Sequence, residues 1–554
     1  MKVIKGFPST SQDNYQLNVT NIIKHGARIF GRQEIVSRKH DGGMFRYTYQ
    51  DAYVRMQRLA NALNRLGLKV GDRVGIMAWN THENYEMYFG IPGTGAVMLL
   101  MNIRLSPQDL SYVANHAEAR FIFVDETLIP LAEAIAPLCP SVEGYVIITD
   151  KQLSEVKTTL DPIFSYEDLL SGAAGDYDWP NLAETSAYAA CYTTGTTGRP
   201  KGVYYSHRDV YLHTLSVIAN AEVSMRDCFF QIVPMFHVLG WGSAHAATMV
   251  GAKYVLSGMY SLDRLGELGE ILVREKVTIS NGAPALLMPM LEFIRNMDEK
   301  PDLTGARLAC GATEPPVSMM KDYWDMTGAE IVHSYGATET TPMVTINRIK
   351  PWLEKELPED EKWDLRRKQG YAVVGLDIKV VGADGTELPQ DGRSAGEILI
   401  RGPWVTASYY NAPGSETQFT DDGYWKSGDA GTIDAEGYLK ITDRVKDVIK
   451  SGGEWISSVD MENEIVAHPA VLEAAVIGLT HPKWEERPLA LVILRPEFKD
   501  NVNPEDIRSH LGRTFAKWQL PDEVLFVEVL PKTSVGKMDK KVLRAEYKDL
   551  YLIR

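Results

Sequence analysis

The feature that most restricts the fold is an alternation of strand and helix signals. Tyr49 to Leu66 (YQDAYVRMQRLANALNRL) carries apolar residues at helical spacing, and Val70 to Met77 (VGDRVGIM) follows as a turn leading into a short strand. Ala119 to Asp125 (ARFIFVD), Glu143 to Thr149 (EGYVIIT) and Ala252 to Leu256 (AKYVL) read as further strands, with helical patterns such as Ser261 to Glu275 between them. Strands that alternate with helices predict an α/β fold of mostly parallel sheets covered by helices. From Tyr371 the texture changes to short strands and turns (VVGLDIKVVGADGTELPQDGRSAGEILIRG), which predicts a β-rich subdomain. A second change follows Asp443 to Asp447. About a hundred residues there read as helix (Ser458 to His468), strand (Ala474 to Leu479), strand (Leu489 to Leu494), helix (Pro504 to Phe515) and strand (Glu523 to Val529), a small α/β unit of its own. The expected domains are therefore 1–445, with the β-rich subdomain at about 371–443, and 446–554.

Composition limits the partners. The 554 residues are 45% hydrophobic and 24% charged, enough for a buried core and more than one domain. Acidic residues outnumber basic ones by 73 to 58, and the net charge of −15 is spread along the chain, which argues against nucleic acid or an anionic membrane as partner. A small anion is still within reach, because a few cations and backbone N–H groups can hold it locally. The four cysteines, Cys139, Cys191, Cys228 and Cys310, are too scattered for a zinc knuckle or disulfide framework. The N-terminal residues lack the apolar stretch of a signal peptide, and the longest apolar run, Ala96 to Met101, is far short of the roughly 20 residues a membrane span needs. A cytoplasmic protein without a membrane span is expected.

Tyr192 to Val203 (YTTGTTGRPKGV) packs four threonines, three glycines and one lysine into twelve residues. It lacks the spacing of a Walker loop, since Lys201 is preceded by Pro200 and followed by Gly202. Gly195 and Gly198 nonetheless let the backbone turn its N–H groups inward, Thr193, Thr194, Thr196 and Thr197 offer hydroxyl donors, and Lys201 adds a positive charge. A phosphate is the expected ligand, against the alternative of a polar surface turn.

The stretch resembles the phosphate-binding signature of the acyl-adenylate-forming enzymes, which include acyl-CoA synthetases, peptide-synthetase adenylation domains and firefly luciferase. Further motifs follow in the same order as in that family. Tyr335 to Thr340 (YGATET) is similar to Y-G-x-T-E, Gly396 to Gly402 (GEILIRG) to G-E-L-x-I-x-G, and Trp425 to Asp429 (WKSGD) to Y-x-T-G-D. Asp443 to Asp447 (DRVKD) through Ser451 to Glu454 (SGGE) resembles the family hinge and the loop after it, and Pro531 to Lys537 (PKTSVGK) the terminal P-x-T-x-x-G-K. The likeness covers nearly the whole chain.

The resemblance implies ATP, Mg²⁺ and coenzyme A as reactants and cofactors. A carboxylate attacks the α-phosphorus of ATP to give an acyl-adenylate and pyrophosphate, and a thiol then displaces AMP. Lys537 would bridge the carboxylate and the α-phosphate, although taken alone it reads as a solvated lysine in a basic tail. Thr338 would bond the α-phosphate, and Glu339 with Thr193 would hold Mg²⁺ through oxygen. Tyr335 would stack on the adenine, with the backbone of Gly311, Ala312, Thr313 and Glu314 on its other side, and Ser334, Gly336 and Ala337 would belong to the same cofactor site. Asp429 would accept the ribose hydroxyls, helped by Arg444. Lys446 would be the hinge of a mobile C-terminal domain, Ser451, Gly452, Gly453 and Glu454 would form the wall of the tunnel for pantetheine, and Lys450 and Trp455 would belong to the cofactor site.

Pro234 to Trp241 (PMFHVLGW) resembles the segment that opens the acyl pocket in fatty-acyl and aryl-CoA synthetases. Amino-acid-activating relatives carry an aspartate where this chain has His237, which argues against an amino acid as substrate. His237 reads either as a gate to the thiol tunnel or as a packing residue at a helix start. Val238, Leu239, Trp241, Gly282, Ala283 and Gly336 would line an apolar pocket, and a small carboxylic acid of medium to long chain is the expected substrate. Aryl or methylmercaptopropionate-type acids, or transfer to a carrier protein, are the alternatives. Likeness to the bacterial fatty-acyl-CoA ligases also implies a homodimer, with the region before about Gln50 packed on the partner subunit.

Overall fold

A computed structural model describes residues 4–11, 14–193, 199–261, 264–451, 454–499, 501–531 and 538–552, without the side chains of 454 and 455. The chain divides into two compact units, Met1–Asp377 with Ile400–Trp425, and Ile378–Leu399 with Lys426–Arg554.

The first unit is built on two sheets. The larger has nine strands in the order Tyr371–Ala372, Met343–Ile346, Glu330–Gly336, Arg307–Cys310, Ile279–Gly282, Cys228–Gln231, Lys253–Leu256, Glu34–Arg38 and Met44–Thr48. The six from Glu330–Gly336 to Glu34–Arg38 run parallel. The smaller sheet has seven strands in the order Ile163–Ser165, Gly144–Ile148, Ala119–Asp125, Arg73–Met77, Val97–Leu100, Ala187–Tyr192 and Gly202–Ser206, all parallel except the last pair. The apolar run at Ala96 to Met101 is explained by this topology: Val97–Leu100 is an interior parallel strand, every residue of it buried, and such a strand needs apolar side chains on both faces.

The helix expected from Tyr49 is Tyr49–Arg65. Thr48 caps it by accepting the Asp51 N–H while Asp51 reaches back to the Thr48 backbone, and Ala52, Met56, Leu59, Ala60 and Leu63 form its buried stripe. The helix expected over Ser261 to Glu275 is described as Gly266–Arg274. Among the described residues no helix is long and apolar enough to cross a membrane.

The second unit holds a four-stranded sheet, Asp377–Val381, Gly396–Arg401, Trp425–Ile433 and Leu439–Arg444, and a five-stranded one. Residues 378–399 and 426–443 of the expected β-rich subdomain thus group with the C-terminal residues, and 400–425 with the first unit. In the five-stranded sheet, Val471–His481 and Glu485–Leu494 pair as one long antiparallel hairpin, longer at both strands than the apolar runs from which the strands are read. The backbone ladder continues through Thr480, Glu485 and Glu486, whose polar side chains carry no strand signal. Ile449, Met461, Ile465, Val476 and Val492 fill the core beside it.

Four histidines sit inside the first unit: His207, His213, His245 and His333, each at most 3% exposed. His207 Nδ1 accepts the Val19 N–H at 3.3 Å, and His213 Nε2 accepts the Met343 N–H at 3.2 Å. Burial pushes His213 and His245 down to about 3 and His207 and His333 down to about 4. Unfolded, each titrates near 6.5, so below that pH the unfolded chain takes up protons that the folded chain refuses. The stability these histidines contribute is therefore complete above about pH 6.5 and falls on acidification, by up to about 1.4 kcal/mol per pH unit for each. Urea unfolding should show a lower midpoint at pH 5 than at pH 7, with a smaller difference in His245→Phe. Equal midpoints would contradict the buried neutral imidazoles.

Candidate active site

The glycine- and threonine-rich loop springs from an antiparallel hairpin, Ala187–Tyr192 against Gly202–Ser206, whose register pairs Tyr192 with Gly202. Just beyond, the Thr193 N–H donates to the Lys201 carbonyl at 2.9 Å and the Lys201 N–H to Thr193 Oγ1 at 3.2 Å. The loop is closed at its base by these two residues. Its interior, Thr194, Gly195, Thr196, Thr197 and Gly198, lies outside the described residues. The Lys201 ammonium stands 4.8 Å from the ring centroid of Tyr409, a cation–π distance.

Strand Glu330–Gly336, which carries Ser334 and Tyr335, ends in a register shift at Tyr335/Gly336 against Met343–Ile346. Gly336 is required there, because a Cβ would lie 2.3 Å from the Pro342 carbonyl oxygen. Ala337 then donates its N–H to Thr340 Oγ1 at 3.0 Å and opens the short turn Thr338–Thr340. That turn is fixed from two sides. The Tyr205 hydroxyl donates to the Thr338 carbonyl at 2.7 Å, and the Thr406 N–H donates to the Glu339 carbonyl at 2.8 Å. The Glu339 carboxylate, on a residue 9% exposed, accepts the Tyr409 hydroxyl at 2.6 Å. The Trp425 indole N–H donates to the same phenol oxygen at 3.2 Å. Tyr409 is thus in contact with two residues singled out from separate motifs, Lys201 and Glu339. Burial, and then the Glu339 charge, hold its phenol well above the ordinary tyrosine value, so the hydroxyl stays protonated.

Gly311 to Glu314 follow strand Arg307–Cys310, and the Gly311 N–H donates to the Gly282 carbonyl at 3.1 Å. Ala312 takes a left-handed φ of 70°. Thr313 lies next to it, and the Glu314 carboxylate is engaged by the Arg367 guanidinium at 2.8 Å. Gly282 ends the neighbouring strand and Ala283 precedes helix Pro284–Arg295, so these two segments emerge side by side.

The segment expected to open the acyl pocket holds a run of left-handed backbone. Val238, Leu239, Gly240, Trp241 and Gly242 all have positive φ, from 40° to 78°, and the right-handed helix starts only at Ser243. His237 therefore precedes a left-handed turn rather than a regular helix, and its carbonyl accepts the Gly240 N–H at 2.9 Å. For L-residues this conformation costs roughly 1–2 kcal/mol each. Buried polar groups hold it: the Gly240 carbonyl accepts Asn281 Nδ2 at 3.2 Å and Ser243 Oγ at 3.1 Å, while Asn281 Oδ1 accepts the N–H groups of Ile232 and Val233. The turn presses the Trp241 ring towards Gly311, where an added Cβ would meet it at 3.0 Å.

In the second unit, Asp429 and Arg444 are directly opposite on paired strands and form an ion pair of 2.8 Å. Lys446 lies in the tight turn after Arg444, where the Asp447 N–H returns to the Arg444 carbonyl and the Asp447 carboxylate holds Arg544 at 2.7 Å. Lys450 and Ser451 lie on strand Ile449–Ser451, paired with Glu454–Ile456, which includes Trp455. The Lys450 N–H donates to Glu486 Oε2 at 2.9 Å, and Ser451 Oγ accepts the buried Arg487 guanidinium at 3.0 Å. Gly452, Gly453 and Lys537 lie outside the described residues.

All four cysteines are buried, and burial pushes Cys139 and Cys191 up to about 11 and Cys228 and Cys310 to about 12. None offers a thiolate near neutral pH, so thioester chemistry here needs a thiol from outside the chain.

Helix-covered parallel sheets, the hairpin-closed loop and the fixed acid Glu339 define an α/β fold of the adenylate-forming kind. Residues 25–410 match the AMP-binding enzyme family, and 460–537 the AMP-binding enzyme C-terminal domain. The chain is 41% identical to a long-chain-fatty-acid–CoA ligase of Thermus thermophilus over 552 residues, 99% of this chain and 98% of that one. It is 39% identical to a 3-methylmercaptopropionyl-CoA ligase of Ruegeria lacuscaerulensis, over 96% of this chain and 98% of the relative. The structure of the anthranilate CoA ligase AuaEII with anthranoyl-AMP superposes with a TM-score of 0.81 at 25% identity, covering 98% of this chain and 99% of that one. The chain belongs to the AMP-binding enzyme family.

The sequence motifs do not single out Tyr409, Tyr205 or Asn281; their roles come from tertiary contacts. Asn281→Ala should leave the Ile232 and Val233 N–H groups without that acceptor and the Gly240 carbonyl with Ser243 alone, and lower stability by about 1–3 kcal/mol. Denaturant unfolding measures this, and an unchanged midpoint would mean that the left-handed turn does not depend on Asn281.

Proposed function

We propose that the protein is an ATP-dependent acid:CoA ligase that joins a hydrophobic carboxylic acid, of medium to long chain, to coenzyme A through an acyl-adenylate, releasing AMP and pyrophosphate. The observation that carries this reading is the meeting of Lys201 and Glu339 at Tyr409, which links the loop expected to hold phosphate to the acid expected to hold metal. An anionic carboxylate has to approach an anionic phosphate, so the chain's task is chiefly to position both and supply positive charge. Lys201 and Lys537 supply that charge in this reading, Thr338 bonds the α-phosphate, and Asp429 with Arg444 holds the ribose. The donor set suits magnesium, since the Glu339 carboxylate and the Thr193 hydroxyl are both oxygen ligands. When bound, Mg²⁺ would neutralise phosphate charge. Adenine would lie between Tyr335 and the backbone of residues 311–314.

The absence of a thiolate among the buried cysteines favours an external thiol, and the names of the relatives favour coenzyme A. Lys446 is the hinge of this reading, and the Ser451 to Glu454 loop the entrance for the thiol. The acyl pocket is assigned to the Val238–Gly242 turn, Gly282, Ala283 and Gly336, with His237 at its mouth. A second reading, a methylmercaptopropionate-type acid, is favoured by a relative nearly as similar as the long-chain ligase. The reading also places the enzyme in the cytoplasm as a homodimer.

Purified protein given ATP, Mg²⁺, CoA and acids from acetate to palmitate, with sulfur-containing and aryl acids included, should release AMP and pyrophosphate in step with acyl-CoA, fastest with the apolar chains. Formation of ADP, or no turnover with any acid, would overturn the proposal. Lys537→Ala should slow pyrophosphate release by on the order of 10²-fold or more while thiolation of a supplied acyl-adenylate continues. An equal loss in both half-reactions would remove Lys537 from the adenylation step.

A further inference from the structure

We propose that Tyr409 is a positioning residue for the adenylation step, its hydroxyl setting the Glu339 carboxylate for a divalent cation. This rests on the reading of Glu339 as a metal ligand. The hydrogen bond is short, 2.6 Å, and joins a phenol to a carboxylate, a charge-assisted pair. Its direction is fixed by the neighbour on the other side. An indole N–H can only donate, so Trp425 occupies a lone pair of the phenol oxygen and leaves the single phenol proton for Glu339.

A carboxylate offers about four acceptor positions, and the Tyr409 hydroxyl takes one of them. Magnesium demands near-octahedral geometry and tolerates misplaced ligands poorly, which makes orientation of the acid worth more than its mere presence. The Glu339 backbone is pinned by Thr406, and the Tyr409 hydroxyl restrains its carboxylate. The same ring stands 4.8 Å from the Lys201 ammonium, so the acid and the loop cation share one rigid support. Metal sites of this kind depend on the groups that hold their ligands, and losing one such group typically weakens metal binding 10–100-fold.

The test uses Tyr409→Phe, which keeps the ring and deletes the hydroxyl. Mn²⁺ binding, followed by electron paramagnetic resonance with the full-length protein and α,β-methylene-ATP, should weaken about 10-fold or more. The Mg²⁺ concentration for half-maximal pyrophosphate release should rise in parallel, and thiolation of a supplied acyl-adenylate should stay at the wild-type rate. Glu339→Gln is the control for the underlying reading. If Glu339→Gln weakens Mn²⁺ and Tyr409→Phe does not, the positioning role is overturned while the metal ligand stands. If Glu339→Gln leaves Mn²⁺ binding unchanged, the metal assignment fails and the proposal with it. A Tyr409→Phe enzyme equally slow in both half-reactions, with unaltered Mn²⁺ affinity, would make Tyr409 a packing residue and overturn the proposal.

Discussion

Parallel direction is the constraint from which the first unit follows. Strands Cys228–Gln231, Ile279–Gly282, Arg307–Cys310 and Glu330–Gly336 are adjacent in one sheet and point the same way, so their carboxyl ends lie along one edge. The segments that leave those ends are the His237 to Gly242 turn, Gly282-Ala283, Gly311 to Glu314 and Ala337 to Glu339. Four stretches far apart in sequence are thereby gathered without any need for contact along the chain, as is general for ligand sites of open parallel sheets. An antiparallel arrangement would have sent alternate segments to opposite edges.

What the edge gathers is then tightened by side chains from elsewhere. Glu339 is held by its backbone and by its carboxylate, from Thr406 and Tyr409, both on the excursion that returns to the first unit at 400–425. The left-handed turn at Val238 to Gly242 is held by Asn281, from the adjacent strand. Strained or fixed groups of this sort persist where surrounding contacts over-determine them, and they concentrate where geometry has to be set before the substrates arrive. The second unit repeats the pattern on a smaller scale, with Asp429 and Arg444 locked opposite each other in a ladder and Ser451 tied to the buried Arg487.

Much of this was legible in the sequence. The strand at Ala119–Asp125 and the helix from Tyr49 were readable because periodicity and burial agree there, and the fold class followed from their alternation. The motifs around Thr193 and Tyr335 stood out through their resemblance to a family whose model matches residues 25–410. Tyr409 did not, since a tyrosine among serine, alanine and a second tyrosine gives no local sign of the acid it will meet 70 residues back. The left-handed turn was hidden for the same reason. Glycines at 240 and 242 permit it, but Val238, Leu239 and Trp241 argue locally against it, and the groups that stabilise it come from Asn281 and Ser243. The long hairpin at Val471–His481 was underread because backbone pairing extends beyond its apolar run.

The central claim is that an oxygen of the acid becomes bonded to the α-phosphorus of ATP. The most direct measurement is a single turnover with the acid labelled with ¹⁸O in its carboxylate, followed by mass spectrometry of the phosphorus-containing products. The account predicts one ¹⁸O in AMP and none in pyrophosphate. Label in inorganic phosphate, or AMP without label, would contradict it.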